Sequence, residues 1–329
     1  MTEGYTMRRF EPSPAEYEAI VRVYDRANLH DSGSVVTWQH WDQHRDPVRM
    51  FTRYVLEKDG ELGGYGFSVL TDPAANIFRF VIYLLPNWES AGLISEFYSY
   101  IMGKCLVHSP AGLICQTRED DAEKIAWLRQ QGFHEAMRYP RSTLMLNKFD
   151  QTVFNEPRAK IAEQGLEIIS LVELGVLDLE WQHKVYELEM LLNEDVPRPS
   201  GFTPQPFDKY VQTEFEGPEF MPELWLIALD GDALVGMTSL WTLGDGMDML
   251  ETGLTGVHRD YRRQGLALAL KSQAIEVVQQ LGARIILTSN EENNPMYRLN
   301  LKLGFEAQPA DIDWKKTLRD SRSGEGDLG

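Results

Sequence analysis

The chain has 329 residues, of which 43% are apolar and 25% charged, and its net charge is −18. This composition suits a soluble globular protein of two domains. It argues against a nucleic-acid partner, which would need a basic face, and no apolar run is long enough to span a membrane. The acidity either favours a cationic partner by long-range attraction or simply confers solubility.

The first residues, Met1-Thr2-Glu3-Gly4-Tyr5, lack a basic region followed by an apolar one, so no secretory signal is expected. The cysteines, Cys105 and Cys115, lie in apolar surroundings, which suits reduced, buried thiols in a cytoplasmic protein. Neither a disulfide nor a metal site is expected, because no ligands recur at motif spacing.

An amphipathic helix is expected over Pro14 to Ala27, capped by Ser13. Residues 31–46 read as loop and short helix. Residues 54–57 and 64–70 read as a hairpin around Lys58-Asp59-Gly60. An apolar strand follows over 78–85, a helix over 92–106 and a strand over 112–117. A helix over 122–131 ends at Gly132-Phe133, and a strand follows over 141–146.

The second half repeats this order. A hairpin surrounds Asp230-Gly231-Asp232, and a strand follows over 249–257. A helix over 266–281 is stopped by Gly282. A strand over 284–289, a helix over 295–303 and a closing strand over 311–318 complete the set. Gly64 and Gly236 differ by 172 positions, as do Gly132 and Gly304, Phe133 and Phe305, and Leu113-Ile114 and Ile285-Ile286; Gly92 and Gly265 differ by 173. One offset held over this span indicates two copies of one α/β fold. The expected division is a first domain over 1–149, a polar linker over 150–164, a second domain over 165–318, and a disordered tail rich in Ser, Gly and charge over 319–329.

Between the strand ending at Val257 and the helix opening at Leu266 lie Arg262, Arg263, Gln264 and Gly265. A strand that turns tightly into a helix gathers unpaired N–H groups and the positive end of the helix dipole. Such a corner binds phosphate. The glycine lets an anion approach the backbone, and the arginines add charge.

Arg262-x-x-Gly265-x-Ala267 resembles the Q/R-x-x-G-x-G/A signature of the GNAT superfamily of N-acetyltransferases. The resemblance runs from about Leu224 to Phe305 and ends in Leu303-Gly304-Phe305, similar to the family's closing L-G-F. A worn copy followed by an intact one looks like the bacterial tandem acetyltransferases of the mycothiol synthase type, although no residue here selects mycothiol. The resemblance implies two tandem domains, each a mixed, mostly antiparallel twisted sheet flanked by helices. It implies acetyl-CoA as co-substrate and a primary amine, of a small molecule or a peptide, as acceptor. The acceptor's identity and the oligomeric state, including a homodimer, stay open.

The resemblance also implies roles for particular residues. Arg262, Arg263, Gln264, Gly265, Leu266 and Ala267 would hold the pyrophosphate. The backbone of Gly256 and Val257 would face the thioester carbonyl, and Asn293 would contact the pantetheine arm. Glu251, eleven residues before Arg262, matches the register of a catalytic glutamate that deprotonates the amine; its alternative is a solvent-facing strand-end residue. Where family members commonly place an acidic tyrosine, four positions before the final Gly, this chain has Asn300, which has no acidic proton to give. Tyr297, one turn earlier, could substitute, or the thiolate leaves unaided. The departure keeps a second reading open, a non-catalytic CoA-binding or regulatory protein.

Glu89-Ser90-Ala91-Gly92-Leu93-Ile94 aligns with the second copy's loop. An acid and a branched residue there oppose pyrophosphate. Only the second copy is therefore expected to bind CoA. Residues 193–223, an insert rich in carboxylates and aromatics, are expected to line the acceptor pocket.

Overall fold

The structure, a computed structural model, describes residues 4–28, 31–88, 90–150, 152, 155–198 and 202–318. These divide into two compact units. One is built from the described residues up to Arg138 and again from Ala310, the other from Tyr139 to Arg198 and from Phe202 to Pro309.

The first unit contains β1 (Tyr5–Arg9), α1 (Pro14–Ala27), α2 (Val35–His44), β2 (Thr52–Lys58), β3 (Glu61–Asp72), β4 (Ile77–Leu84), α3 (Ala91–Cys105), β5 (Gly112–Arg118) and α4 (Ala122–Gln130). Helix α1 starts as its sequence dictates. Ser13 Oγ accepts from the Glu16 N–H at 3.2 Å, Pro14 occupies the first turn, and Tyr17, Ile20 and Val23 form the buried stripe. Strand β1 escapes sequence reading because YTMRR lacks apolar alternation; it is held by its antiparallel ladder to β2.

Strand β6 (His134–Met145) leads from the first unit into the second. There follow α5 (Asn155–Glu163), β7 (Leu166–Ser170), α6 (Leu171–Leu177), α7 (Trp181–Asn193), α8 (Phe207–Tyr210), β8 (Trp225–Asp230), β9 (Ala233–Thr242), β10 (Met249–Val257), α9 (Leu266–Gln280), β11 (Ile285–Ser289), α10 (Pro295–Lys302) and β12 (Glu306–Thr317). The stretch read as a linker thus contains a helix. Ile161 of α5 is buried, and Arg158 bonds Ser272 and Glu276 of α9. Its mean polarity hid the single apolar anchor. Residues 319–329, expected to be disordered, lie outside the described residues.

The two sheets share one topology. In the first, β1, β2, β3 and β4 are successively antiparallel, and β4 pairs β5 in parallel over Ile77–Arg79. In the second, β7, β8, β9 and β10 are successively antiparallel, and β10 pairs β11 in parallel over Met249–Glu251. The sixth strand of each comes from the other copy's stretch of sequence. Residues 311–317 of β12 pair with β5 in the first unit, and residues 141–145 of β6 pair with β11 in the second. Hydrophobic alternation marks a strand but not the edge it joins, so the structural division departs from a cut at 149. Trp314 is buried in the first core and Leu144 in the second.

Candidate functional site

Strand β10 is straight in its first half and irregular in its second. Glu251 is opposite Trp241 on one side and Leu287 on the other, and it is the last residue of β10 registered with β11. Beyond it, two residues, Gly253 and Leu254, face the single Ser239 of β9, a β-bulge. Ser239 Oγ takes the Leu254 N–H at 3.1 Å, and a Cβ at Gly253 would lie 2.5 Å from that same oxygen, so only glycine fits. Pairing with β11 ends at Glu251, just before the bulge, which leaves a gap in the ladder between the two strands.

Ladder alternation decides which backbone groups face that gap. His258 donates to Val235 O at 2.8 Å, which assigns Gly256 to the hydrogen-bonded pair with Met237. The N–H groups of Thr255 and Val257 therefore point into the gap, and that of Gly256 points to β9. Gly256 matters for packing instead: a Cβ there would meet Leu192 Cδ1 of α7 at 2.9 Å.

After β10 the chain makes a short 3-10 turn at Arg259–Tyr261 and enters α9. Arg263 and Gly265 both have left-handed backbones, with φ of 61° and 94°. Residues at positive φ on either side of Gln264 fold the loop into a concavity. The first turn of α9 has no side-chain cap, and nothing lies within 4 Å of where a Gly265 Cβ would be. Open N–H groups and open space together fit a diphosphate.

Arg262 is held in place. Its Nε donates to Val257 O at 3.0 Å and its Nη2 bonds Asp195. Asp195, just past the end of α7, also accepts from Arg259 at 2.7 Å. The Arg259 and Arg262 guanidiniums hold the Asp195 carboxyl well below the usual carboxylate range.

A cleft of about 1020 Å³ runs along this corner, lined by Leu192, residues 254–257, the loop, the first turn of α9, and Asn294, Met296, Arg298, Leu299 and Lys302 of the α10 region. Five cationic side chains, Arg259, Arg262, Arg263, Arg298 and Lys302, line it against one carboxylate, Asp195, in a chain of net charge −18. Of the residues expected at the site, Gly256, Val257, Arg262, Arg263, Gly265, Leu266 and Ala267 are brought together here. Gln264 turns back to Asp260 O at 3.2 Å, and Asn293 Nδ2 donates to Glu291 at 2.8 Å. Its neighbour Asn294 caps α10 by accepting from the Met296 N–H at 3.0 Å and lines the cleft. Asn300 is fully buried and donates to Asn290 Oδ1 at 2.6 Å, and Tyr297 is half-buried on the same helix. Sequence reading missed Asn294, Arg298 and Lys302 and placed Asp195 with the acceptor insert; the four-residue spacing of Arg298 and Lys302 was the available signal.

The first unit is different at each equivalent point. At the 172 offset, Glu251 corresponds to Arg79, which pairs bidentately with Asp313 at 3.0 and 2.9 Å. The start of α3 is closed by its own sequence, with Ser90 Oγ accepting from the Leu93 N–H at 3.3 Å. Trp88, nearby in sequence, packs so tightly on Gly63 that a Cβ there would lie 2.4 Å from the indole. Glu89 lies outside the described residues.

Residues 182–305, the stretch that builds this cleft, match the family model described as the acetyltransferase (GNAT) family. The chain carries a GNAT acetyltransferase domain. The activity that this match points to is acyl transfer. Among curated protein sequences none matches. Several solved structures are similar in fold. A tandem GNAT protein from the clavulanic acid biosynthesis pathway is 18% identical with a TM-score of 0.71, over 95% of this chain and 98% of that one. A GCN5-related N-acetyltransferase from Sphaerobacter thermophilus is 18% identical with a TM-score of 0.69, over 97% of each chain. One from Kribbella flavida is 14% identical with a TM-score of 0.52, over 77% of this chain and 87% of that one. The first two extend the likeness to nearly the whole chain, so the GNAT fold is present in tandem.

Helix α7 and the segment after it bring two carboxylates, Glu189 and Glu214, close together. The Tyr210 hydroxyl donates to Glu189, and Thr213 Oγ1 donates to Glu214 at 3.3 Å. Burial, then the nearby Glu189 charge, pushes the Glu214 carboxyl up to about 7. Burial raises Glu189 as well. Tyr186, Phe207, Phe215 and Trp181 surround them through edge and tilted ring contacts. Among the described residues no group of three or more His, Cys, Asp or Glu is placed to hold a metal, and no helix is long and apolar enough to cross a membrane.

Proposed function

We propose that this protein is an acetyl-CoA-dependent N-acetyltransferase that moves an acetyl group to the primary amine of a small molecule or a peptide. The observation that carries the reading is the uncapped start of α9 beside the gap between β10 and β11. It offers a diphosphate site and a thioester site within one cleft. In this reading the first-turn N–H groups of α9, with Arg263 and the Asp195-anchored Arg262, take the pyrophosphate. Asn294, Arg298 and Lys302 face the rest of the nucleotide and the pantetheine arm. The Val257 N–H, pointing into the gap, stabilises the carbonyl oxygen as negative charge develops.

Glu251, where the two strands part, removes the proton from the acceptor amine, directly or through water. An amine of pKa about 10.4 is almost wholly cationic at neutral pH, so this step is needed. No acid is required at the sulfur. Asn300 has no acidic proton and is tied to Asn290, and a thiol of pKa about 8.5 leaves as thiolate. The acceptor enters beside α7, where Glu189 and Glu214 with their aromatic surround suit a cationic amine. Glu189 precedes Leu192 by one helical turn, and Leu192 lies against Gly256.

The first copy does not bind the co-substrate in this reading, because Ser90 already caps α3 and Arg79 replaces the base. A cytoplasmic setting accords with buried Cys105 and Cys115, whose thiols burial raises, Cys115 to about 12. A second reading, a non-catalytic CoA-binding protein, is favoured by one feature, the sealed Asn300 at the usual acid position. Thiol release from acetyl-CoA across a panel of amines separates them: release with any acceptor supports the enzyme, and binding without release supports the sensor.

A further inference from the structure

Helix α9 carries a lysine where its apolar stripe meets the sheet. Ala267 lines the cleft, and Lys271 follows one turn later on the same face. Lys271 is 4% exposed. Among the described residues no carboxylate pairs with it. Its Nζ donates to Thr255 Oγ1 at 3.5 Å and lies 5.9 Å from the Phe305 ring centroid. Thr255 Oγ1 also meets Thr238 Oγ1 at 2.8 Å, so this polar set is small. The nearest acid on α9, Glu276, is taken by Arg158.

A buried ammonium without a counter-ion is costly, and burial pushes the Lys271 amine down to about 7. Much of it is thus neutral and nucleophilic at physiological pH. Thr255 lies in the part of β10 that has no registered partner in β11. Thr255 itself lines the cleft, so the Lys271 Nζ is one hydrogen bond away from a cleft residue.

We propose that Lys271 is an internal acyl acceptor, acetylated on Nζ by the acyl thioester bound in the cleft. This rests on the reading of the cleft as an acetyl-CoA site. The Nζ lone pair adds to the thioester carbonyl carbon, the carbon–sulfur bond breaks, and CoA departs as thiolate. The nitrogen gives one proton to the thiolate, leaving an Nζ-acetyl amide and free CoA thiol. No oxidant or further reactant is needed. The product is an uncharged side chain lodged in the gap, so self-acetylation would run when no acceptor amine is present and would limit later turnover.

The test uses the full-length protein with acetyl-CoA and no acceptor, followed by intact mass and peptide mapping. One acetyl group should appear, on Lys271, at a rate that saturates with acetyl-CoA and does not depend on protein concentration. That rate should level off above about pH 7, the Lys271 midpoint, whereas solvent lysines react faster up to about pH 10. The adduct should vanish in Lys271→Arg and Lys271→Met, both checked for folding and for acetyl-CoA binding by calorimetry. Without ligand, the urea stability of the wild type should rise above pH 7, and that rise should be absent in Lys271→Met. Bound acetyl-CoA with no adduct, an adduct kept in the variants, or a flat stability profile overturns the proposal. Absence of binding altogether sinks the co-substrate reading, and this proposal with it.

Discussion

Asp195 grips Arg262 at the mouth of the cleft, and the same carboxylate holds Arg259 at 2.7 Å. An incoming diphosphate must therefore share these guanidiniums with a resident anion. Asp195→Asn keeps the shape and removes the competing charge. CoA affinity should rise about three- to tenfold, with a steeper salt dependence. Calorimetry at two ionic strengths reads this directly, and a weakened complex would show that Asp195 serves to position Arg262 instead.

The two helix starts, Gly265 and Ser90, should respond in opposite ways. Gly265→Ala places a methyl at φ 94°, where an L side chain is strained, and in the anion's path. It should cost about 1 kcal/mol of stability and most of the CoA affinity. Ser90→Ala removes a cap and should cost about 1 kcal/mol with affinity unchanged. Titration of the wild type should find one acetyl-CoA per chain; two would refute the asymmetry between the copies.

Glu251→Gln tests the base. Turnover should fall on the order of 100-fold. The loss should be greatest at low pH, where few acceptor molecules are already neutral. A pH–rate profile with the wild-type shape would remove Glu251 from the mechanism.

Glu214 should make stability fall with pH. Its carboxyl is raised from 4.5 to about 7 in the folded protein, by burial first and then by Glu189. Between those values the folded state keeps a proton that the unfolded chain has released. Stability is therefore lost as pH rises through this window. Glu214→Gln should flatten the decline in urea melts between pH 5 and about 8, whereas Lys271→Met, acting above pH 7, should leave it in place.

Gly253→Ala should damage the bulge. The new Cβ would sit 2.5 Å from Ser239 Oγ and 2.6 Å from Trp241 Nε1. A loss of about 1–3 kcal/mol is expected. If β10 straightens against β11 in response, CoA binding is lost with it, which a thermal melt and a titration on one preparation would record.

Much of the second unit was legible because its boundaries are written in residues with single meanings. Gly282, at φ 87°, stops α9, and Pro295 opens α10. Strand β10 was expected over its observed span, Met249–Val257. The fold class followed from the 172-residue offset, and the tandem neighbours agree with it. Other features depend on tertiary partners and leave little trace. Nothing local tells Asn293 from Asn294, yet Asn294 caps the helix and lines the cleft while Asn293 bonds Glu291. Asp195 reads as a loop acid until Arg259 and Arg262 are seen around it. Lys271 stood in plain view at the Ala267–Lys271–Ile275 spacing, where an apolar stripe absorbs an occasional lysine by default.

Residues 311–317 complete one sheet and residues 141–145 the other, each supplied from the opposite end of the duplication. A premature stop codon after the first copy would strip β5 of its neighbour, and a chain starting at residue 150 would strip β11. Either fragment would present a raw strand edge, a template for fibrillar association. With the strands placed in this way, deletion of either repeat would be a route to aggregation. That alone would keep the first repeat in the gene, whatever else it does.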